Sequence, residues 1–134
     1  MTVTNIQAFL QKAEKENEEV KIERLGASIV IKALSEAEND NIKKISTKTR
    51  RSKGGNIVKD LDTDLYGDNL VSRCVVSPDL NNAELQAFHG TEGDAAATLK
   101  AFLLAGEYAD VTAKVLSLNG FDESEEDYKE EVKK

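Results

Sequence analysis

The sequence predicts an α+β domain, mostly helical, with a small antiparallel β-sheet packed against helices. Three observations carry this. The densest apolar stretch, Leu99 to Leu118, repeats at helical spacing, with Leu99, Phe102, Leu103 and Gly106 at i, i+3, i+4 and i+7. Residues 19–33 instead alternate or run β-branched, as a hairpin does. Helix-start signals then recur along the rest of the chain, each ahead of an apolar periodic segment.

At 134 residues the chain makes one domain, long enough to bury about two-thirds of its unfolded surface without staples. We expect that domain to span 1–121, followed by an acidic tail, 122–134. Aromatic residues are only 5% and Trp is absent, so the core must be aliphatic. The single cysteine, Cys74, excludes an internal disulfide and fits a reducing cytoplasm. No run approaches the ~20 apolar residues of a membrane span, and no charged-then-apolar leader opens the sequence. A net charge of −7 argues against nucleic acid as a partner. The charge is uneven, however. Lys43, Lys44, Lys48, Arg50, Arg51 and Lys53 form a basic run with no acid among them, whereas 122–134 holds seven acids and three bases.

In chain order, Thr4-Asn5-Ile6-Gln7 reads as a capping box opening a helix to about Asn17, with Ile6, Phe9, Leu10 and Ala13 on one face. Val20 and Ile22 then alternate with charged residues, and Ser28 to Ala33 is strand-like after a turn at Gly26. A lone hairpin is marginal in water, so helices must cover it or further strands join it. Ser35-Glu36-Ala37-Glu38 is a second capping box, and its helix turns Leu34, Ala37, Ile42 and Ile45 inward. From Thr47 to Lys59 the pattern fails, and Gly54-Gly55 with its charged flanks reads as a mobile polar loop, either a plain connection or a dock for an acidic surface, the chain's own tail being one candidate. Asp62 opens a helix with Tyr66, Leu70, Val71 and Cys74 on one side, ended by Pro78. Asn82 recaps a short helix that buries Leu85 and Phe88 and stops at Gly90, with His89 near its end. Asp94 caps the long apolar segment, Gly106 marks a break or kink in it, and Asn119-Gly120 closes it with Phe121 folding back.

Apolar stripes of this kind are usually interior. The alternative is that part of the surface, around Leu104 and Tyr108, is lent to a partner. Catalytic constellations are missing. Cys74 lies on an apolar face, where a thiol behaves as a small hydrophobe, and His89 reads as a helix-end group. Gly54-Gly55 lacks the Gly-Lys-Ser/Thr ending of a phosphate cradle. Asp60, Asp62 and Asp64 alternate as in a calcium loop, but the required Gly and bidentate Glu are misplaced. No metal or cofactor is expected.

Four segments together carry a resemblance: Ile31 to Glu38, Leu70 to Leu80 with its Pro78-Asp79 pair, Glu84-Leu85-Gln86 with Gly90, and Leu103-Leu104-Ala105-Gly106-Glu107-Tyr108. In order and spacing they resemble the XkdN-like (YqbN-type) tail assembly chaperones of phages and prophages, from about Val3 to Phe121. The resemblance implies an α+β fold with a small sheet and a non-enzymatic role in the host cytoplasm. It further implies binding of the tape measure protein, held soluble until tail tube subunits polymerise around it, and absence from the finished tail. The tail tube protein is the second partner it suggests. The competing reading is a structural tail component or a small prophage adaptor. Within the chaperone reading, Leu99, Phe102, Leu103, Leu104 and Tyr108 are the candidate partner-binding residues.

Overall fold

A computed structural model describes residues 5–121. Two strands, β1 (Glu18–Ile22) and β2 (Ala27–Ile31), form the predicted antiparallel hairpin, with Glu18 opposite Ile31 and Ile22 opposite Ala27. A short 3-10 turn, Glu23–Leu25, joins them and ends at Gly26, whose φ of 63° lies in the left-handed region that favours glycine. Helix α1 (Glu36–Ile45) follows, then a second hairpin of β3 (Thr47–Arg51) and β4 (Ile57–Leu61). Helix α2 (Thr63–Cys74) runs directly into β5 (Val75–Ser77), which pairs antiparallel with β2 and completes a sheet of order β1-β2-β5. Three helices finish the domain: α3 (Ala83–His89), α4 (Ala95–Phe102) and α5 (Ala105–Leu118).

The core lies between one face of this sheet and α1, α2, α4 and α5. Val20, Ile22, Ile29 and Ile31 come from the strands, Ile42 from α1, Leu70, Val71 and Cys74 from α2, and Leu99, Val111, Val115 and Leu118 from the last two helices. It is aliphatic, as the composition requires. Cys74 is fully buried, and burial pushes its thiol up to about 11.

The helix termini follow the sequence signals. Ser35 Oγ accepts the Glu38 N–H while Glu38 Oε1 accepts the Ser35 N–H, both at 3.2 Å. Asp62, Asn82 and Asp94 accept from Leu65, Leu85 and Ala97 at 2.9–3.0 Å. After α5 the Phe121 N–H donates to Leu116 O and the Gly120 N–H to Ser117 O, closing the helix with a Schellman turn.

Five expectations are corrected. The helix expected to about Asn17 is one 3-10 turn, Ile6–Phe9, capped by Asn5 (Thr4 and the acidic tail lie outside the described residues), and Ile6, Phe9 and Leu10 face outward. Helix nucleation is unfavourable, and no core element covers this apolar face to offset it. The polar loop is the β3–β4 hairpin, turned at Gly54 and Gly55, both at positive φ. Neither strand carries the apolar alternation that would announce it. Ala37 and Ile45 are exposed on α1, and Phe88 is 83% exposed on α3, where Gln86 is buried instead. Beyond α2 the extended residues before Pro78 form the third strand. The break in the apolar segment falls at Leu103-Leu104, with Gly106 inside the first turn of α5.

Asn119 fastens the end of α5 to the sheet side. Its Oδ1 accepts the Leu34 N–H at 2.7 Å, and its Nδ2 donates to Val115 O at 2.9 Å and to Cys74 Sγ at 3.6 Å. Asn119→Ala leaves the Leu34 amide without its partner, and we expect a loss of about 1–3 kcal/mol, read as a lower urea midpoint at unchanged m. Cys74 should react with a thiol reagent far more slowly in native buffer than in denaturant; equal rates would place it outside the core.

Candidate functional site

Two short helices meeting at an elbow dominate the surface around the candidate partner-binding residues. α4 ends at Phe102, Leu103 turns extended with φ −106° and ψ 144°, and Leu104 is the first flanking residue of α5. Leu103 is buried and Leu104 is 59% exposed, because consecutive extended residues point to opposite sides. Leucine has no side-chain acceptor, so only half of a capping arrangement forms: Glu107 Oε1 accepts the Leu104 N–H at 2.7 Å.

Glu107 is itself held from the sheet side. The Arg24 guanidinium, on the turn between β1 and β2, meets Glu107 at 2.7–3.2 Å through Nε and Nη2, and Nη2 also donates to Phe102 O at 2.7 Å. One side chain thus satisfies the end of α4 and the start of α5 together. The Arg24 hydrogen bonds and the Leu104 N–H hold the Glu107 carboxyl below its usual range, and the same pair raises Arg24. On the other flank, Asp68 of α2 accepts from Tyr108 Oη at 2.8 Å and from Lys100 Nζ at 2.9 Å, so it ties both helices to α2. Burial, then the Asp68 carboxylate, pushes the Tyr108 hydroxyl well above its ordinary value. Tyr108 is therefore a neutral donor at any physiological pH.

The five candidate residues divide. Leu99 and Leu103 belong to the core, Leu99 with no exposed surface at all. Phe102 and Tyr108 are half-buried, and Leu104 stands outward. Sequence reasoning missed two neighbours. Phe88 packs edge-on against His89 with centroids 4.9 Å apart, and His89 lies 6.0 Å from Phe102, so an aromatic row runs from α3 to the end of α4. Leu25, next to Arg24, is 43% exposed. Exposed apolar side chains thus occur on α3 (Phe88), at the elbow (Leu104) and on the β1–β2 turn next to Arg24 (Leu25), with Phe102 half-buried among them and a shallow concavity of about 320 Å³ beside Leu85 and Phe88. Periodicity could flag Phe88 as apolar but not say which side of a short helix the fold would cover.

A polar concavity of about 560 Å³ opens between α2, β5 and the start of α4, lined in part by Arg73, Asp79 and Asp94. Among the described residues no three His, Cys, Asp or Glu side chains are placed to hold a metal ion. The geometry does not bring Cys74 and His89 together: the thiol faces Asn119, and the imidazole sits between Phe88 and Phe102. No helix among the described residues is long and apolar enough to cross a membrane.

The sequence profile described as Phage XkdN-like tail assembly chaperone protein matches residues 6–133. The chain belongs to this family. Among its relatives, the phage-like element PBSX protein XkdN of Bacillus subtilis (strain 168) is 27% identical over 104 residues, covering 78% of this chain and 70% of that protein. The protein YqbN of the same organism is 29% identical over 104 residues, with the same coverage of each. A crystal structure of the protein YqbN superposes with a TM-score of 0.68 at 24% identity, covering 90% of this chain and 99% of that one, which shows that the fold is shared. The α+β architecture of this tail assembly chaperone is therefore shared with that relative.

The Arg24–Glu107 pair predicts a pH dependence. Unfolded, the carboxyl titrates near 4.5, and folded it titrates lower. The stabilisation is complete above the unfolded value and is lost as pH falls through the folded one. In Glu107→Gln this part is absent, so the urea-midpoint gap between wild type and variant should narrow from neutral pH to about pH 3. An unchanged gap would mean that the pair is not formed in solution.

Proposed function

We propose that this tail assembly chaperone is a non-enzymatic holder of the tape measure protein, and that the elbow strip is where it binds. The observation that supports the reading is the pairing of outward apolar side chains, Phe88 and Leu104, with a backbone fixed by Arg24, Glu107 and Asp68. Fixing the backbone in advance lowers the ordering cost of binding. In this reading Phe88, Phe102, Leu104 and Leu25 make up the strip, which would take the apolar face of an amphipathic helix with anchors at i, i+3, i+4 and i+7. The tape measure protein supplies long helical stretches of that kind, which aggregate until tail tube subunits enclose them. In this reading Leu99 and Leu103 act from beneath, by setting the elbow, and Tyr108 acts by holding α5 to α2. Net charge of −7 keeps a protein with an exposed apolar strip dispersed and favours a basic client.

Leu104→Asp and Phe88→Asp test this directly. Both positions are exposed, and Asp at Leu104 supplies the side-chain acceptor that the start of α5 lacks, so folding should be kept to within about 0.5 kcal/mol. On co-expression with the adjacent tape measure protein, the wild-type chain should keep it soluble and co-purify with it, and each variant should weaken binding about tenfold. Full binding by both folded variants would move the client surface away from the elbow. Presence of the protein in purified particles would make it a tail component instead.

A further inference from the structure

We propose that the outer face of the β3–β4 hairpin is a docking surface for the chain's own acidic segment, residues 122–134. The inference is independent of the client-binding reading, since it concerns other elements and other side chains.

The register sorts the hairpin's side chains into two faces. Lys48, Arg50, Val58 and Asp60 share one, and Thr49, Arg51, Ile57, Lys59 and Leu61 share the other. On the first face the cations are already matched: Lys48 meets Asp62 at 3.0 Å and Arg50 meets Asp60 at 2.5 Å. On the second face the cations Arg51 and Lys59 stand between the exposed side chains of Ile57 and Leu61. Neither Arg51 nor Lys59, nor Lys53 at the tip, forms an ion pair among the described residues. Residues 43–59 hold seven basic side chains and no acidic one, in a chain whose net charge is −7. A cationic, partly apolar sheet face with no acid of its own fits an acidic segment carrying a few apolar side chains.

Residues 122–134 have that chemistry. They contain seven acids against three bases, with Tyr128 and Val132 among them. The described chain reaches Phe121 beside Leu34, Ser35 and Glu36, at the start of α1, and α1 ends next to β3. The ten residues of α1 span about 15 Å, and five-residue strands add about 17 Å to the tip of the hairpin. Extended, thirteen residues reach about 43 Å, so the segment can lie along the whole face. Held there, it covers Ile57 and Leu61 and offsets the one concentration of positive charge in the described residues, which would otherwise attract polyanions.

Zero-length carbodiimide cross-linking of the full chain, read by mass spectrometry, tests this. The Lys48–Asp62 pair serves as an internal control. We expect intrachain links from Lys53 and Lys59 to Glu125, Glu126 or Glu130. Their yield should fall roughly threefold or more in Arg51→Glu, and likewise at about 0.5 M salt, where the screening length is about 4 Å. Arg51 is exposed, and an unchanged circular dichroism spectrum with a persisting Lys48–Asp62 link shows the variant folded. Absence of the tail links while the control link forms overturns the proposal, as does a yield indifferent to Arg51→Glu. In a mixture of isotopically light and heavy protein, links found only between chains would assign the face to a second copy and overturn it equally.

Discussion

Everything in this fold depends on keeping α2 surrounded. It packs against α1, α4, α5 and β5, and its buried stripe of Leu70, Val71 and Cys74 belongs to the single core cluster that those helices share with the covered face of the sheet. With aromatics at 5% of the chain, no large ring fills the centre, so the core is built from many small aliphatic side chains. Each fully buried Val, Leu or Ile contributes about 1.5–3 kcal/mol, whereas an exposed ion pair contributes about 1 kcal/mol at most. Burial therefore supplies the stability. The polar contacts decide geometry: Asp68 fixes where α4 and α5 cross α2, Arg24 fixes the elbow, and Asn119 fixes the end of α5 against the β2–α1 connection.

Buried polar groups follow the same division. Gln86 donates to Leu80 O at 2.8 Å and accepts the Gly93 N–H at 3.1 Å, which ties the connections on both sides of α3 to that helix. Thr98 meets Thr91 at 2.6 Å and donates to Asp94 O at 2.8 Å. Ser46 donates to Ile42 O at 2.7 Å and accepts from Asn69 at 3.0 Å, joining α1 to α2. Among the described residues no buried side-chain N or O lacks a partner, so these groups pin the connections without an unpaired desolvated atom.

What could be read from the sequence was local chemistry. Ser35, Asp62, Asn82 and Asp94 announce helix starts because the capping partner lies within three residues, and Gly90 and Gly120 announce ends because a left-handed residue is needed there. The first hairpin was legible from Val20 and Ile22, whose alternation reports a face that must be covered. What escaped was decided at long range. β3 and β4 pair without an apolar face, so no alternation marks them. β5 is three residues long and exists because β2 offers it an edge. For Ile6, Phe9, Leu10 and Phe88 the spacing reports an apolar side but not whether the fold supplies anything to cover it. At the elbow, Gly106 reads as the breaker by propensity, while the break is set three residues earlier by Leu103 seeking the core and by Arg24, distant in the chain, holding both helix ends.

The constrained elbow also bears on how a small chaperone would let go. On the proposed reading the strip offers Phe88, Leu104 and Leu25 as its exposed apolar side chains, each already partly covered, and a gross gain of about 3–6 kcal/mol if all three are buried. Association costs an estimated 4–15 kcal/mol in lost rigid-body freedom, so little surplus remains. A strip of this size cannot hold a helix tightly, even on a backbone as constrained as the elbow. Weak attachment is what the proposed role would require, since on that reading subunits polymerising along the client have to displace its holder. A larger apolar face would bind better but would also leave the free protein prone to self-association, a risk that the surplus of negative charge limits but does not remove. On the proposed reading the size of the exposed strip is thus bounded from both sides, by the need to cover a client and by the need to release it.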